Sequence, residues 1–344
     1  MIEYKQPAIV EELRRRIASE QYSETLPTTA ELAKEFDVNI KTMAKAIGQL
    51  VNAGLLERRR RCGTRVCRVF PVLSKEPLIE VIFEGFTSIF IHPFWADIWD
   101  GMVGMLSAEG FRPVLNMLEA DPETGLFKLE KFSMSPSVGK IVLGVFETRV
   151  FEEIRKTKIP FIAACDPLDD PTIPQVAFDF TDGIRRAVDY LEHAGYHRIG
   201  FVGQTQSLVG TGALHKFNAY LKAVQNYTQI NPELLANTRP LAGCGGPALS
   251  RMLEKTQPDA LIAAYDHQLP ELYAVLAEYG LSIPVIGCDG LRLPAIPAER
   301  PMIKAPRREC GRAAARQLIM AIRGKHCPRS LRLPAVFCNG DCPY

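Results

Sequence analysis

Four consecutive arginines, Arg58 to Arg61, form the longest run of positive charge in this 344-residue chain, and Cys62-Gly63-Thr64-Arg65 follows them directly. Guanidinium forks beside a tight turn suit phosphate oxygens, which they grip through paired, charge-assisted hydrogen bonds. Just upstream, the segment IKTMAKAIGQL has an apolar stripe of Met43, Ala46, Ile47 and Leu50 at helical spacing. Its other face carries Ile40, Lys41, Ala44, Lys45 and Gln49, side chains free to enter a major groove. Charge is segregated to match. Residues 1–70 hold 13 Lys+Arg against 9 Asp+Glu, a net +4, so the remaining 28 against 30 is −2, although the whole chain is only +2. A cationic head on a near-neutral body predicts that the head alone meets nucleic acid.

Other chemistries find little support. The six histidines, at 92, 193, 197, 215, 267 and 326, include no His-x-x-x-His pair, and neither a Gly-x-Ser-x-Gly nor a Walker sequence occurs. No catalytic set, metal site or cofactor is therefore expected. Nine cysteines are mostly scattered singly, and the closer pairs Cys62/Cys67 and Cys338/Cys342 lack zinc spacing, so all are read as reduced thiols. The first residues mix acids with bases, and no stretch approaches the ~18 uncharged apolar residues of a membrane span. The expectation is a cytoplasmic protein that does not engage membranes.

The elements that position the basic residues are short. Ile9, Val10, Leu13 and Ile17 predict a helix from Pro7 to about Gln21. Thr28 caps a second helix to Phe36, with Glu31 completing a capping box. Asp37-Val38-Asn39 turns the chain, Asn39 caps the third helix, and Gly54 ends it. Leu55–Arg60 and Arg65–Phe70 are expected as two strands around Cys62-Gly63-Thr64. A charge run alone could equally belong to a protein-binding module; helix-turn-helix spacing tips the reading to DNA.

The pattern Leu26-Pro27-Thr28, Glu31-Leu32-Ala33, Val38, Thr42, Lys45-Ala46, Leu50, Gly54-Leu55-Leu56 and Gly63-Thr64 resembles the winged helix of GntR-type transcription regulators. This resemblance implies DNA contacts from Thr28, Thr29, Asn39, Lys41, Thr42 and Lys45, and from Arg58, Arg59, Arg60, Arg61, Thr64 and Arg65 on the wing. Ala30, Ile40 and Ala44 stand where the family usually has arginines. The family's operator sequence is therefore not transferred, since arginine bidentate to guanine is the commonest specific contact.

Ser74-Lys75-Glu76-Pro77 marks a joint, and strand and helix patterns alternate beyond it: strand 78–83, helix 93–109, strand 112–116, helix 123–133, strand 140–144, helix 149–156 and strand 160–164. Strand 174–178 follows, then helix 182–194, strand 198–202, helices 211–225 and 246–256, strand 259–264, helix 267–279 and strand 284–288. Such repetition predicts parallel sheets with helices on both faces, in two lobes, and a ligand beyond the carboxyl ends of the strands. The fold class is α/β: an N-terminal winged helix-turn-helix (1–71), a linker (72–77) and a two-lobed body (78–344). Lobe one is placed at about 78–179 and 290–326, lobe two at about 180–289 and 327–344.

His92-Pro93-Phe94-Trp95 with Gly101, Ile159-Pro160 to Asp166, Val176 to Asp179 with Gly183, Gly195 to Phe201, Pro258 to Asp266 and Val285 to Asp289 together resemble the sugar-binding body of LacI/GalR-family repressors. A GntR-type head on such a body is the architecture of arabinose-repressor-like regulators. The resemblance implies a small sugar-like effector in the interlobe cleft, held by His92, Phe94, Trp95, Asp166, Lys216, Asp266 and Asp289. Aromatic faces suit the C–H surface of a polyol and carboxylates its hydroxyls. Blander roles stay open, since strand-end aspartates also cap helices and Trp95 also suits a core. Tyr265 replaces the customary asparagine, Ala305 a polar residue and His215-Lys216 an arginine-rich segment, so no particular effector is implied. The expected partners are an operator duplex, the effector and a second copy in a homodimer; the rival reading is a carbohydrate-binding or carbohydrate-processing protein whose basic head is an interaction module.

Overall fold

The structure is a computed structural model. It describes residues 6–18, 21–22, 25–52, 56–59, 63–66, 77–83, 92–119, 121, 127–129, 133–145, 147–207, 214–240, 242–294, 296–297 and 299–340. The chain divides into two compact units, Met1–Glu76 and Pro77–Tyr344.

In the first unit, α1 (Gln6–Ala18), α2 (Thr29–Glu35) and α3 (Ile40–Asn52) surround one apolar cluster, and a hairpin of β1 (Leu56–Arg59) and β2 (Gly63–Val66) follows. Ile9, Leu13, Leu32, Met43, Ile47 and Leu50 are fully buried there. Each such side chain contributes about 1.5–3 kcal/mol relative to exposure. Thr28 makes the expected capping box: its Oγ1 accepts the Glu31 N–H at 3.3 Å, and its own N–H donates to Glu31 Oε2 at 2.7 Å. Asn39 Oδ1 accepts the Thr42 N–H at 2.8 Å and starts α3. The hairpin departs from expectation. Its strands pair Leu56 with Val66 and Arg59 with Gly63, so Gly63 and Thr64 lie in β2 rather than at the tip. The left-handed backbone of Gly63 (φ 80°) at the strand's start accommodates that earlier pairing.

The body holds two six-stranded sheets. The first runs β13 (Ser330–Pro334), β7 (Gln175–Asp179), β6 (Phe161–Cys165), β5 (Gly139–Leu143), β3 (Leu78–Phe83), β4 (Arg112–Met117), all parallel. The second runs β14 (Val336–Cys338), β12 (Met302–Lys304), β11 (Val285–Gly287), β10 (Ala260–Ala263), β8 (Ile199–Gly203), β9 (Leu235–Asn237), with only β14 antiparallel. Near-continuous apolar strands such as GKIVL and IGFVG are buried along their length, as strands covered on both faces must be. The helices are α4 (Pro93–Ala108), α5 (Thr148–Lys156), α6 (Thr181–His193), α7 (His215–Val224), α8 (Gly245–Leu253), α9 (Leu269–Glu278) and α10 (Arg307–Ile322).

Several expectations need correction. β12 joins the second sheet and β13 the first, so 302–304 leaves the lobe assigned to 290–326 and 330–334 leaves the lobe assigned to 327–344. The chain passes between sheets after β7, after β12 and between β13 and β14. Where a helix was expected over 123–133, described residues 127–129 form a bridge and a 3-10 turn and residue 133 is irregular. The alternation expected from the sequence ends at residue 288, apart from a crossing strand at Ala305, yet β12, α10, β13 and β14 all follow. Their signals are weak singly: strands of three to five residues, and an α10 whose buried face is half glycine and alanine. α10 crosses α4 in backbone contact, for a Cβ on Gly311 would stand 1.9 Å from the Ile98 carbonyl oxygen and one on Gly101 2.0 Å from that of Arg308. Cys338 is disulfide-bonded, against the expectation of free thiols, while the other described cysteines are free. Cys62, Cys67 and Cys342 lie outside the described residues, as does the linker apart from Pro77.

Candidate ligand cavity and DNA-binding surface

A cavity of about 740 Å³, counted to its open mouth, lies at the carboxyl ends of strands from both sheets. That is the position that parallel sheets favour for a ligand. Gly144 follows β5, Asp166 follows β6, Gln204 follows β8, Ala264 and Tyr265 follow β10, and Asp289 follows β11. Phe94 and Trp95 enter from the first turn of α4, and His215 and Lys216 from that of α7. Cys165, just before Asp166, adopts φ 101°, a strained left-handed conformation for a residue with a Cβ, at the point where the strand delivers its carboxylate to the cavity.

An ion pair forms the polar wall. Lys216 Nζ donates to Asp289 Oδ1 at 2.8 Å and to the Ala264 carbonyl at 2.6 Å, and lies 4.5 Å from the Phe180 ring centroid. Burial opposes the lysine's charge, but Asp289 outweighs it and holds the ammonium above its usual range. Burial equally opposes the Asp289 carboxylate, and Lys216 overcomes this to keep it below the usual range. Both groups are therefore charged at neutral pH, and Lys216 is an ammonium rather than a nucleophilic amine.

Asp289 Oδ2 accepts the Asp266 N–H at 2.9 Å. Asp266 lines no part of the cavity. Its fully buried carboxylate accepts the N–H groups of Asp289 (3.1 Å) and Leu291 (2.7 Å) and lies 3.2 Å from Arg300 Nη2. Burial, then the negative charge of Asp289, pushes its carboxyl up to about 6. The effector contact expected of Asp266 is thus corrected to a brace joining the ends of β10 and β11. Arg307 ties the lobes together: it donates to the Asp289 carbonyl and, through Nε, to Asp97 Oδ2 on α4 at 3.0 Å.

The other wall is aromatic and imidazole-rich. Trp95 is 8% exposed and packs edge-on against Phe83 and Phe94, so it is largely core with one side on the cavity. The rings of His92, from the first lobe, and His267, from the second, meet at 4.7 Å. Burial lowers both imidazoles, that of His267 to about 4. His92 Nδ1 and His267 Nε2 are buried without a hydrogen-bond partner in the structure. His215 Nε2 lies 3.5 Å from Asp166 Oδ1. Six of the seven expected effector residues thus meet in one cavity. Gly144, Phe201, Gln204, Pro240, Ala264 and His267 were not anticipated, and His215 and Tyr265 figured only as departures from the family pattern. Gly144, Gln204 and Tyr265 each follow a strand and were recoverable from the carboxyl-end rule; Pro240, from a loop, carried no signal. Among the described residues no group of three or more His, Cys, Asp or Glu is arranged for a metal ion, and no helix is long and apolar enough to cross a membrane.

In the head, Lys41, Lys45, Arg58 and Arg65 are all exposed. Thr29 and Thr64 are half-buried. Thr28, Asn39 and Thr42 are engaged in capping, since Thr42 Oγ1 also donates to Asn39 Oδ1 at 3.0 Å and Thr28 Oγ1 to Glu31 Oε2 at 2.8 Å. Arg60, Arg61 and the Arg59 side chain lie outside what the structure describes.

Residues 5–66 match the family of bacterial regulatory proteins of the gntR type, and residues 188–340 match the periplasmic binding protein-like domain. The chain joins a GntR-type DNA-binding head to a periplasmic-binding-protein-like body. It is 26% identical over 318 residues to the arabinose metabolism transcriptional repressor of Geobacillus stearothermophilus, covering 87% of this chain and 85% of that one. With catabolite control protein A of Priestia megaterium it shares 23% identity over 282 residues, 77% and 83% of the two chains. Among solved structures, the transcriptional regulator CelR–cellobiose complex aligns with a TM-score of 0.68 at 19% identity over 91% of this chain and 98% of that one. A LacI family transcriptional regulator from Enterococcus faecium with bound ribose aligns with a TM-score of 0.61 at 22% identity over 76% and 97%. At these identities the structural likeness speaks for the fold.

Proposed function

We propose that the protein is a sequence-specific DNA-binding transcription repressor whose operator affinity is set by a small sugar-like ligand in the interlobe cavity. The observation that carries this reading is one cavity walled by both lobes, in a chain whose head is a GntR-type DNA-binding domain. A ligand touching both walls binds two lobe arrangements unequally, the condition for shifting a conformational equilibrium. A coupling of about 1–3 kcal/mol changes operator affinity roughly 5- to 150-fold.

The ligand's chemistry follows from the walls. The Lys216–Asp289 pair is internally neutral, Phe94 and Trp95 present apolar ring surface, and Asp166, Gln204, His92 and His267 present hydrogen-bonding groups. That combination suits a neutral polyol better than a charged ligand. Relatives named for arabinose metabolism or bound to cellobiose or ribose support the same class. The protein acts in the cytoplasm as a homodimer without a cofactor, two heads engaging paired half-sites. It is a binder rather than an enzyme, a reading supported by relatives that are named as transcription regulators.

The test is binding of the full-length protein to promoter fragments and random duplex across salt, with and without sugars found by thermal shift. If Lys41, Lys45, Arg58 and Arg65 each neutralise one phosphate, the log–log salt slope is about −3.6 per head, roughly a 150-fold loss from 50 to 200 mM. A flat salt response, or no preference for any fragment over random duplex, overturns the DNA reading. Turnover of a stabilising sugar overturns the assignment as a binder.

A further inference from the structure

We propose that the head reads thymine through Ile40, so that each operator half-site carries a thymine whose C5-methyl group packs against this side chain. The inference rests on the DNA-binding reading above. Ile40 opens α3 and is 58% exposed, the most exposed of the large hydrophobic side chains described. It stands outside the buried stripe of Met43, Ile47 and Leu50, so the head's own core does not account for it.

Its surroundings decide what covers it. Lys41 and Lys45 on the same helix and Arg58 and Arg65 on the adjoining hairpin are exposed cations, which suit a polyanion and oppose burial under an apolar protein face. In a helix-turn-helix, the amino-terminal residues of the second helix meet base edges in the major groove. Two of the polar side chains there are engaged in capping, for Asn39 Oδ1 accepts both the N–H and the Oγ1–H of Thr42. Ala44, one turn on, offers only a methyl group. An apolar pair facing base edges has one complementary feature in the major groove, the thymine methyl. The head therefore discriminates by shape and apolar contact at this position, where a guanidinium would select guanine.

The experiment starts by selecting duplexes from a random library with the full-length protein at moderate salt. Each thymine of the enriched half-site is then replaced by deoxyuridine, which keeps base pairing and removes only the methyl, and affinities are measured for wild type and Ile40→Ala. One thymine per half-site is expected to be uracil-sensitive by about fourfold, the burial of one methyl group. Ile40→Ala is expected to weaken binding to the thymine duplex and to abolish the thymine–uracil difference at that position, with the salt slope retained. Half-sites with no uracil-sensitive thymine, or an Ile40→Ala protein that keeps the full difference, overturn the proposal while leaving the regulator intact. No enrichment over random duplex overturns the regulator reading and this one with it.

Discussion

Replacing Lys216 by methionine keeps an unbranched side chain, one atom shorter, and removes its charge. The ammonium lies 2.8 Å from Asp289, with the two side chains only 9% and 4% exposed. Without it, Asp289 retains the backbone N–H of Asp266 and stays buried. Removing one member of a buried pair costs about 3–5 kcal/mol, because the remaining charge has lost both water and partner. At roughly 2–4 °C per kcal/mol for a body of this size, the melting temperature falls by about 6–20 °C.

The pH dependence carries the sign. In wild type the Asp289 carboxyl is held below its ordinary value, so its contribution to stability is present at neutral pH and lost as pH falls through the acid range. In Lys216→Met, burial outweighs the remaining Asp266 N–H and raises that carboxyl, so the variant loses stability as pH rises above about 4. The gap between the proteins therefore widens from pH 4 to 7. Urea denaturation followed by tryptophan fluorescence measures it in the body alone, since the chain's two tryptophans, Trp95 and Trp99, both lie on α4. Asp289→Asn in the Lys216→Met background removes the stranded charge and is expected to recover part of the loss. A Lys216→Met protein within about 1 kcal/mol of wild type at neutral pH, or a gap independent of pH, refutes the buried pair.

Two further outcomes are expected. Gly311→Ala forces α10 away from the Ile98 carbonyl and costs about 1–3 kcal/mol or more, whereas Gly104→Ala on α4, with nothing within 4 Å of the new Cβ, is neutral or stabilising; equal melting temperatures for the two variants would refute the close helix crossing. His267, held to about 4 against 6.5 when unfolded, disfavours the folded state as pH falls through that window by up to about 3 kcal/mol. His267→Gln is therefore expected to lose stability less steeply than wild type between pH 6.5 and 4, as read by urea midpoints, and an unchanged profile would count against a buried neutral imidazole.

Local rules were enough for the helices of the head. Thr28, Glu31 and Asn39 announce helix starts because caps are satisfied within three residues, and the stripe Met43, Ala46, Ile47, Leu50 marks a buried face because a helix repeats every 3.6 residues. The strand-helix alternation announced parallel sheets for the same reason, and with them a ligand position beyond strands ending near Asp166 and Asp289. What the chain could not declare locally was decided by contacts across long separations. The lobe to which 302–304 and 330–334 belong depends on which strand edge they meet, and their three to five residues carry no preference between two sheets. Asp266 and Asp289 look alike in sequence, each following a buried strand. Only the tertiary structure sets Lys216 against one and Arg300 against the other, so that one carboxylate faces the cavity and its neighbour is sealed beneath it. His92 and His267 are likewise ordinary residues until two lobes bring their rings together, because electrostatics and burial act through space and not along the chain.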